Sequence, residues 1–228
     1  MATILHIDSS ARFGESGKHK HGSHTRRLTK RFLNRWLASE PDTRVITRDV
    51  AVMPPTPANE RWIEAAFTKP ESRSKSMQYS LMESDLLVDE LQEADLILIG
   101  APMYNFGVPS TLKAWIDNVV RVGRTFGFDR SREGAPYWPL LQPGKQLVIL
   151  SARGDGGYGL GGELSSSNLV EASLKVPMAY IGISEVHSIA VERDGFADER
   201  VIASLALAEA EIDSLVDRLA ASPTSLAA

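Results

Sequence analysis

The segment Ala94-Asp-Leu-Ile-Leu-Ile-Gly-Ala-Pro102 constrains the fold more than any other stretch of the chain. It has the length of a strand, is apolar on both faces, and is stopped by Gly and Pro. A strand with two apolar faces needs cover on both sides. A parallel sheet flanked by helices supplies that cover, and a half-solvated antiparallel sheet does not. Thr3–Ile7 and Gln146–Leu150 repeat the pattern, and Thr43–Arg48 and Glu185–Val191 read as two further strands.

Helical periodicity fills the intervals. Thr25–Ala38 carries Leu28, Phe32 and Trp36 on one stripe. Pro54, Pro55 and Pro57 exclude regular structure after the second strand, and the helical stretch that follows breaks at Pro70 and resumes as Ser76–Glu93. Pro109–Val120 suits a helix with proline in its first turn. Leu164–Tyr180 reads as a helix interrupted or bent near Pro177. Glu199–Ala220 is amphipathic, with Val201, Leu205, Ala208, Ile212, Leu215 and Leu219 inward. Strands and helices alternate five times with no internal repeat and no linker, which predicts a single α/β domain over residues 1–228. Five strands predict a flavodoxin-like three-layer sandwich with a five-stranded parallel sheet in order 2-1-3-4-5. Ligands of that fold lie beyond the strand C-termini, at the switch point between strands one and three. The loops after strands one, three and four should therefore carry the chemistry.

Composition narrows the classes. A chain of 228 residues buries one substantial core, and 43% hydrophobic with 24% charged residues suits a soluble globular protein. A net charge of −4 argues against nucleic acid, whose binders are basic overall or strongly patched. The absence of cysteine removes disulfides, thiolate metal sites and thiol nucleophiles. The opening run to Asp8 has no charged segment, long apolar core or small-residue cleavage site, and no apolar stretch approaches the roughly 18 residues that span a bilayer. A cytoplasmic location is expected, with no membrane partner.

In the first loop, Ser9, Ser10, Ser23 and Thr25 place hydroxyls and backbone amides around a helix start. Free N–H groups and the positive end of a helix dipole make that a phosphate site, although Ser23 or Thr25 could also serve simply as a helix cap. Gly14-Glu-Ser-Gly-Lys18 fails as a nucleotide-triphosphate loop, because Arg12 stands where the first glycine belongs and His19 where Ser or Thr belongs. His19, His21 and His24 have no carboxylate among them, and no metal is expected. Lys18, Lys20, Arg26, Arg27, Lys30, Arg31 and Arg35 lie in a stretch without acids. They read either as a solvated face with a mobile basic loop, or as a positive rim that draws a phosphorylated nicotinamide.

The third loop, Ala101-Pro-Met-Tyr-Asn-Phe-Gly-Val-Pro109, sets Met, Tyr, Asn and Phe at the end of a buried strand between two stiffening prolines. Such a loop can wall a flat heteroaromatic ring, or its aromatics can pack on the next helix. The fourth, Ser151 to Gly162, holds six glycines in twelve residues. It permits close backbone approach to a ligand, or forms a flexible lid. Its G-x-G-x-x-G spacings follow the wrong strand for a dinucleotide fingerprint.

Ala-Pro-Met-Tyr-Asn-Phe at 101–106 resembles the signature of the FMN-dependent NAD(P)H azoreductases, also described as quinone reductases. Ser9-Ser10 with Ser23-His-Thr25 resembles their phosphate loop. Leu112-Lys-Ala-Trp-Ile-Asp117, Gly123-Arg-Thr-Phe126 and Tyr180-Ile-Gly-Ile-Ser-Glu185 are similar to their later segments. The resemblance implies FMN as cofactor, NADH or NADPH as donor, and a quinone or azo compound as acceptor, reduced by ping-pong hydride transfer. Chromate or nitroaromatic acceptors and a non-enzymatic electron carrier are the alternatives. It implies that Ser10, Ser23, His24 and Thr25 hold the phosphate and that Met103, Tyr104, Asn105 and Phe106 contact the isoalloxazine. Ala152, Arg153, Gly154 and Asp155 would lie along the ring, and the chain would be a homodimer with sites at the interface. Phe106, Phe126 and Phe128 are the expected substrate-stacking wall, with Trp62 or Phe67 as additions. The first and fourth loops are longer than the family's usual form. No side-chain nucleophile or acid–base pair is required.

Overall fold

The computed structural model describes residues 2–221. Its elements run β1 (Thr3–Asp8), α1 (His24–Ser39), β2 (Arg44–Asp49), α2 (Glu60–Phe67), α3 (Lys75–Glu93), β3 (Leu96–Pro102) and α4 (Ser110–Val119). There follow β4 (Phe126–Phe128), β5 (Tyr137–Pro139), β6 (Gln146–Ala152), α5 (Val170–Tyr180), β7 (Glu185–Val191) and α6 (Glu199–Ala220). The main sheet is parallel throughout, in the order β2-β1-β3-β6-β7. With the small β4–β5 hairpin left out of the count, this is the expected 2-1-3-4-5.

β1, β3 and β6 are buried along their whole length, as their two apolar faces require, whereas β2 at the edge is only partly covered. α1 and α6 cover one face through Leu28, Phe32, Trp36, Leu205, Ile212 and Leu215. α3, α4 and α5 cover the other through Leu87, Leu91, Trp115, Leu174 and Met178. Among the described residues, no helix is long and apolar enough to cross a membrane.

Three local readings change. The helix expected over Leu164–Tyr180 begins only at Val170, after a 3-10 turn at Ser165–Ser167. The break falls where Asn168 Oδ1 accepts the Val170 N–H at 3.2 Å, a side-chain turn that competes with helix. Pro177 stays inside α5, in its last turn, where it leaves the Ser173 carbonyl without its i+4 N–H donor. The loop at 12–22 is cross-tied rather than loose: Ser16 N–H donates to the Ser23 carbonyl and Ser23 N–H to that of Gly14. Gly22 is needed there, since a Cβ would meet the Glu15 carbonyl oxygen at 2.2 Å. The antiparallel hairpin of β4 and β5 is an addition to the expected elements.

Candidate functional site

Asp8 is the register partner of both Asp49 on β2 and Gly100 on β3, so three strand ends meet at one point. Ser9 turns the chain off β1 by donating both its N–H and its hydroxyl to the Gly100 carbonyl. A Cβ on Gly100 would come within 2.8 Å of Asp8 Oδ1, so glycine leaves room for that carboxylate. Burial pushes the Asp8 pKa up, but contacts with His6, Arg26 and Thr29 outweigh it and hold the group below the usual aspartate range. Thr29 donates its hydroxyl to Asp8 at 3.1 Å, and His6 Nε2 and Arg26 Nη1 each lie 3.4 Å away.

α1 starts immediately beyond this point. Ser23 caps it, accepting the Arg26 N–H at 3.3 Å, with its hydroxyl 2.9 Å from that of Thr25. Ser10 Oγ accepts the Arg12 N–H at 3.2 Å. The backbone N–H groups of Ser10, His24 and Thr25 have no acceptor among the described residues. They form a donor cluster at the positive end of a helix. The His24 side chain is otherwise engaged: Nδ1 is 2.9 Å from Ser16 Oγ and Nε2 is 3.2 Å from Asp194 Oδ1. Asp194 also receives Arg12 at 3.3 Å. The His24 hydrogen bond, with the charges of His24 and Arg12, overcomes burial and lowers the Asp194 pKa.

In the third loop Tyr104 and Gly107 exchange backbone hydrogen bonds, closing a two-residue turn at Asn105 and Phe106. Both residues have positive φ, 49° and 71°, a conformation that Asn tolerates and Phe adopts only under constraint. The Phe106 carbonyl is fixed by the Leu169 N–H at the start of α5, and the residue is 52% exposed. Tyr104 reaches back to the first loop, its phenol oxygen accepting the Ala11 N–H at 3.1 Å. Met103 N–H donates to the Ala152 carbonyl and so ties the third loop to the fourth.

The fourth loop is anchored from beneath. The Arg153 side chain is 5% exposed and pairs with Glu171 on α5 and, at 3.0 Å, with Glu192 after β7. Glu192 in turn accepts the N–H groups of Gly157 and Tyr158 at 2.8 and 3.0 Å. What Ala152, Arg153, Gly154 and Asp155 leave open to a ligand is backbone, together with the exposed Asp155.

The structure thus gathers Ser10, Ser23, His24, Thr25, Met103, Tyr104, Asn105, Phe106 and the 152–155 segment at one edge of the sheet. It does not bring Phe126 and Phe128 there. Helices between parallel strands run antiparallel to them, so α4 and α5 end at the opposite edge. Phe126 and Phe128 follow α4 and pack with Tyr137 and with Tyr180, the last residue of α5; the Phe126–Tyr180 and Phe128–Tyr137 ring centroids are 5.0 and 4.7 Å apart. Trp62 is half-buried against Ala65, Ala66 and Leu81, and Phe67 is exposed. Glu192 and Asp194 were missed. Their one signal was position, because they close the fifth strand at the same edge as the other loops.

The family described as having the flavodoxin-like fold matches residues 2–215, and this defines the class. An FMN-dependent NADH:quinone oxidoreductase of Opitutus terrae is 42% identical over 222 residues, covering 97% of this chain and all of its own. The FMN-dependent NADH:quinone oxidoreductase 2 of Colwellia psychrerythraea is 37% identical over 219 residues, covering 96% and 100%. The FMN-dependent NADH-azoreductase of Bacillus anthracis, solved in complex with FMN, superposes with a TM-score of 0.82 at 17% identity, over 96% of this chain and all of that one, a likeness of fold. The chain belongs to the family of flavodoxin-like FMN-dependent NADH:quinone oxidoreductases.

Proposed function

We propose that this protein is an FMN-dependent oxidoreductase that takes electrons from NADH, or from NADPH, and reduces quinones and aromatic azo compounds. The observation that carries the reading is the full-length match to the Opitutus terrae enzyme at 42% identity. The donor set of the site fits the cofactor. Unpaired N–H groups of Ser10, His24 and Thr25 beside two hydroxyls suit a phosphate monoester. The exposed Tyr104 and Phe106, stiffened by a tight turn, suit one face of a flat ring.

The chemistry supplied by bound FMN is two-electron transfer, hydride in from the nicotinamide and hydride out to the acceptor, with the two substrates taking turns at one place. The chain's own residues bind and orient. Ser10, Ser23, His24 and Thr25 would hold the phosphate through backbone and hydroxyl donors. Met103, Tyr104, Asn105 and Phe106 would hold the ring, and the backbone of Ala152 to Asp155 would lie along it. A cytoplasmic homodimer completes the proposal. Phe106 is half exposed and Phe126 and Phe128 lie at the far edge of the same chain, so a second copy is the natural source of cover for the site.

The test is steady-state oxidation of NADH with menadione as acceptor. FMN-loaded protein turns over, and the flavin-free protein does so only after FMN is restored. A colourless protein that FMN does not reconstitute overturns the reading.

A further inference from the structure

Arg26 is the third residue of α1, where a cation opposes the helix dipole and where a phosphate would be expected to recruit one. Yet its side chain is only 12% exposed, and every one of its donors already has an acceptor on the protein. Nε donates to the Arg12 carbonyl at 2.9 Å and Nη2 to the Ser10 carbonyl at 2.9 Å. Nη1 meets Asp49 Oδ2 at 2.6 Å and Asp8 Oδ2 at 3.4 Å, and Nη2 meets Asp49 Oδ1 at 3.1 Å. A guanidinium has five N–H groups, and these five contacts use them all.

The two carbonyls matter most. In a planar trans peptide the C=O of one residue and the N–H of the next point in opposite directions. Drawing the Ser10 and Arg12 carbonyls toward Arg26 therefore turns the Ala11 and Phe13 N–H groups away from it. The Ala11 N–H is duly found on Tyr104 Oη, on the side of the third loop. Asp8 and Asp49, paired in register at the ends of β1 and β2, hold the guanidinium in place as they neutralise it.

We infer that Arg26 is a positioning residue for the cofactor's phosphate: by tying the Ser10 and Arg12 carbonyls to α1 it holds Ser10 beside the free N–H groups of His24 and Thr25, and it is not itself the phosphate's counter-ion. This rests on the reading of the first loop as the FMN phosphate site. Shape is the requirement, since only a fork can reach two carbonyls and two carboxylates together. Lysine keeps the charge and loses the fork.

The experiment compares the affinities of FMN and riboflavin, which lacks the phosphate, for the full-length flavin-free protein by flavin fluorescence. The wild type is measured first, then Arg26→Lys and Asp49→Asn, with thermal melts confirming that each is folded. Arg26→Lys is expected to weaken FMN about tenfold and leave riboflavin within about twofold. Asp49→Asn, which loosens the grip without touching α1, is expected to act in the same direction by about threefold. Unchanged FMN affinity in Arg26→Lys would show that charge alone suffices and overturn the inference. Equal losses for FMN and riboflavin would assign Arg26 a general structural role and overturn it too. Should Arg26→Lys not fold, the same two criteria apply to Asp49→Asn. A wild type that binds FMN no tighter than riboflavin would instead defeat the phosphate reading itself.

Discussion

The phenol oxygen of Tyr104 accepts the Ala11 N–H at 3.1 Å, joining the loop after β3 to the loop after β1 across 93 residues of sequence. Both loops would touch the same cofactor, one at its ring and the other at its phosphate. On the proposed function the bond would set the spacing between the two halves of the site, so that Tyr104 would contribute through its hydroxyl as well as its ring.

Tyr104→Phe keeps the ring and deletes the bond. It should weaken FMN by about fivefold, the equivalent of about 1 kcal/mol for one hydrogen bond. A fluorescence titration measures this, and an unchanged dissociation constant would show that the loops are spaced by other contacts.

Arg153 sits between Glu171 and Glu192 with 5% of its side chain exposed, and Glu192 also holds two N–H groups of the glycine-rich loop. Arg153→Met leaves two partly buried carboxylates without their cation and should cost about 3 kcal/mol. Urea unfolding reads this directly. A loss below about 1 kcal/mol would mean that water screens the pairs as it does at the surface.

The basic run of α1 has partners on α6. Arg27 meets Glu209 at 2.7 Å, Arg31 meets Asp213 at 2.6 Å and Arg35 meets Asp217 at 2.7 Å, each pair separated by the same 182 residues. One spacing repeated every four residues is the signature of two parallel helices in register. Lys18 is paired with Glu15. Most of the rim expected to draw a phosphorylated nicotinamide is thus neutralised. Neutralising Arg31 should leave the ratio of NADPH to NADH rates unchanged within about twofold. It should cost about 0.5 kcal/mol of stability, because this pair is more than a third exposed. A large fall in the NADPH rate alone would restore the rim to function.

Particular residues show why some of this was legible and some was not. β1, β3 and β6 announce themselves because both faces of each are apolar, and the order of the sheet follows from their alternation with helices. Met103 to Phe106 stands out because aromatics at the end of a buried strand need a reason. The hairpin of β4 and β5 escapes because three-residue strands carry no periodicity. The α1–α6 ladder escapes because its two sides are 182 residues apart, so local charge counting saw only cations. Arg153 looked like a ligand contact from its loop. Its side-chain direction depends on Glu171 and Glu192, which come from two other elements.

Acid sensitivity follows from Asp8 and Asp194, whose pKa values are both lowered in the fold. A carboxyl with a depressed folded pKa adds stability above its unfolded value, about 3.9, and loses it as pH falls through the folded one. The urea midpoint should therefore vary little on this account from pH 7 to 5 and drop below pH 4. The Asp194→Asn variant should show a shallower drop. An acid limb identical to the wild type's would remove Asp194 from the explanation.

The central claim is two-electron passage from NADH to a quinone through FMN held at this site. Anaerobic titration of the FMN-loaded protein with NADH, followed spectroscopically, tests it most directly. The account predicts that one equivalent of NADH per flavin bleaches the oxidised absorbance, and that one equivalent of quinone then restores it. A flavin that NADH leaves oxidised, or that stays reduced when quinone is added, would contradict it.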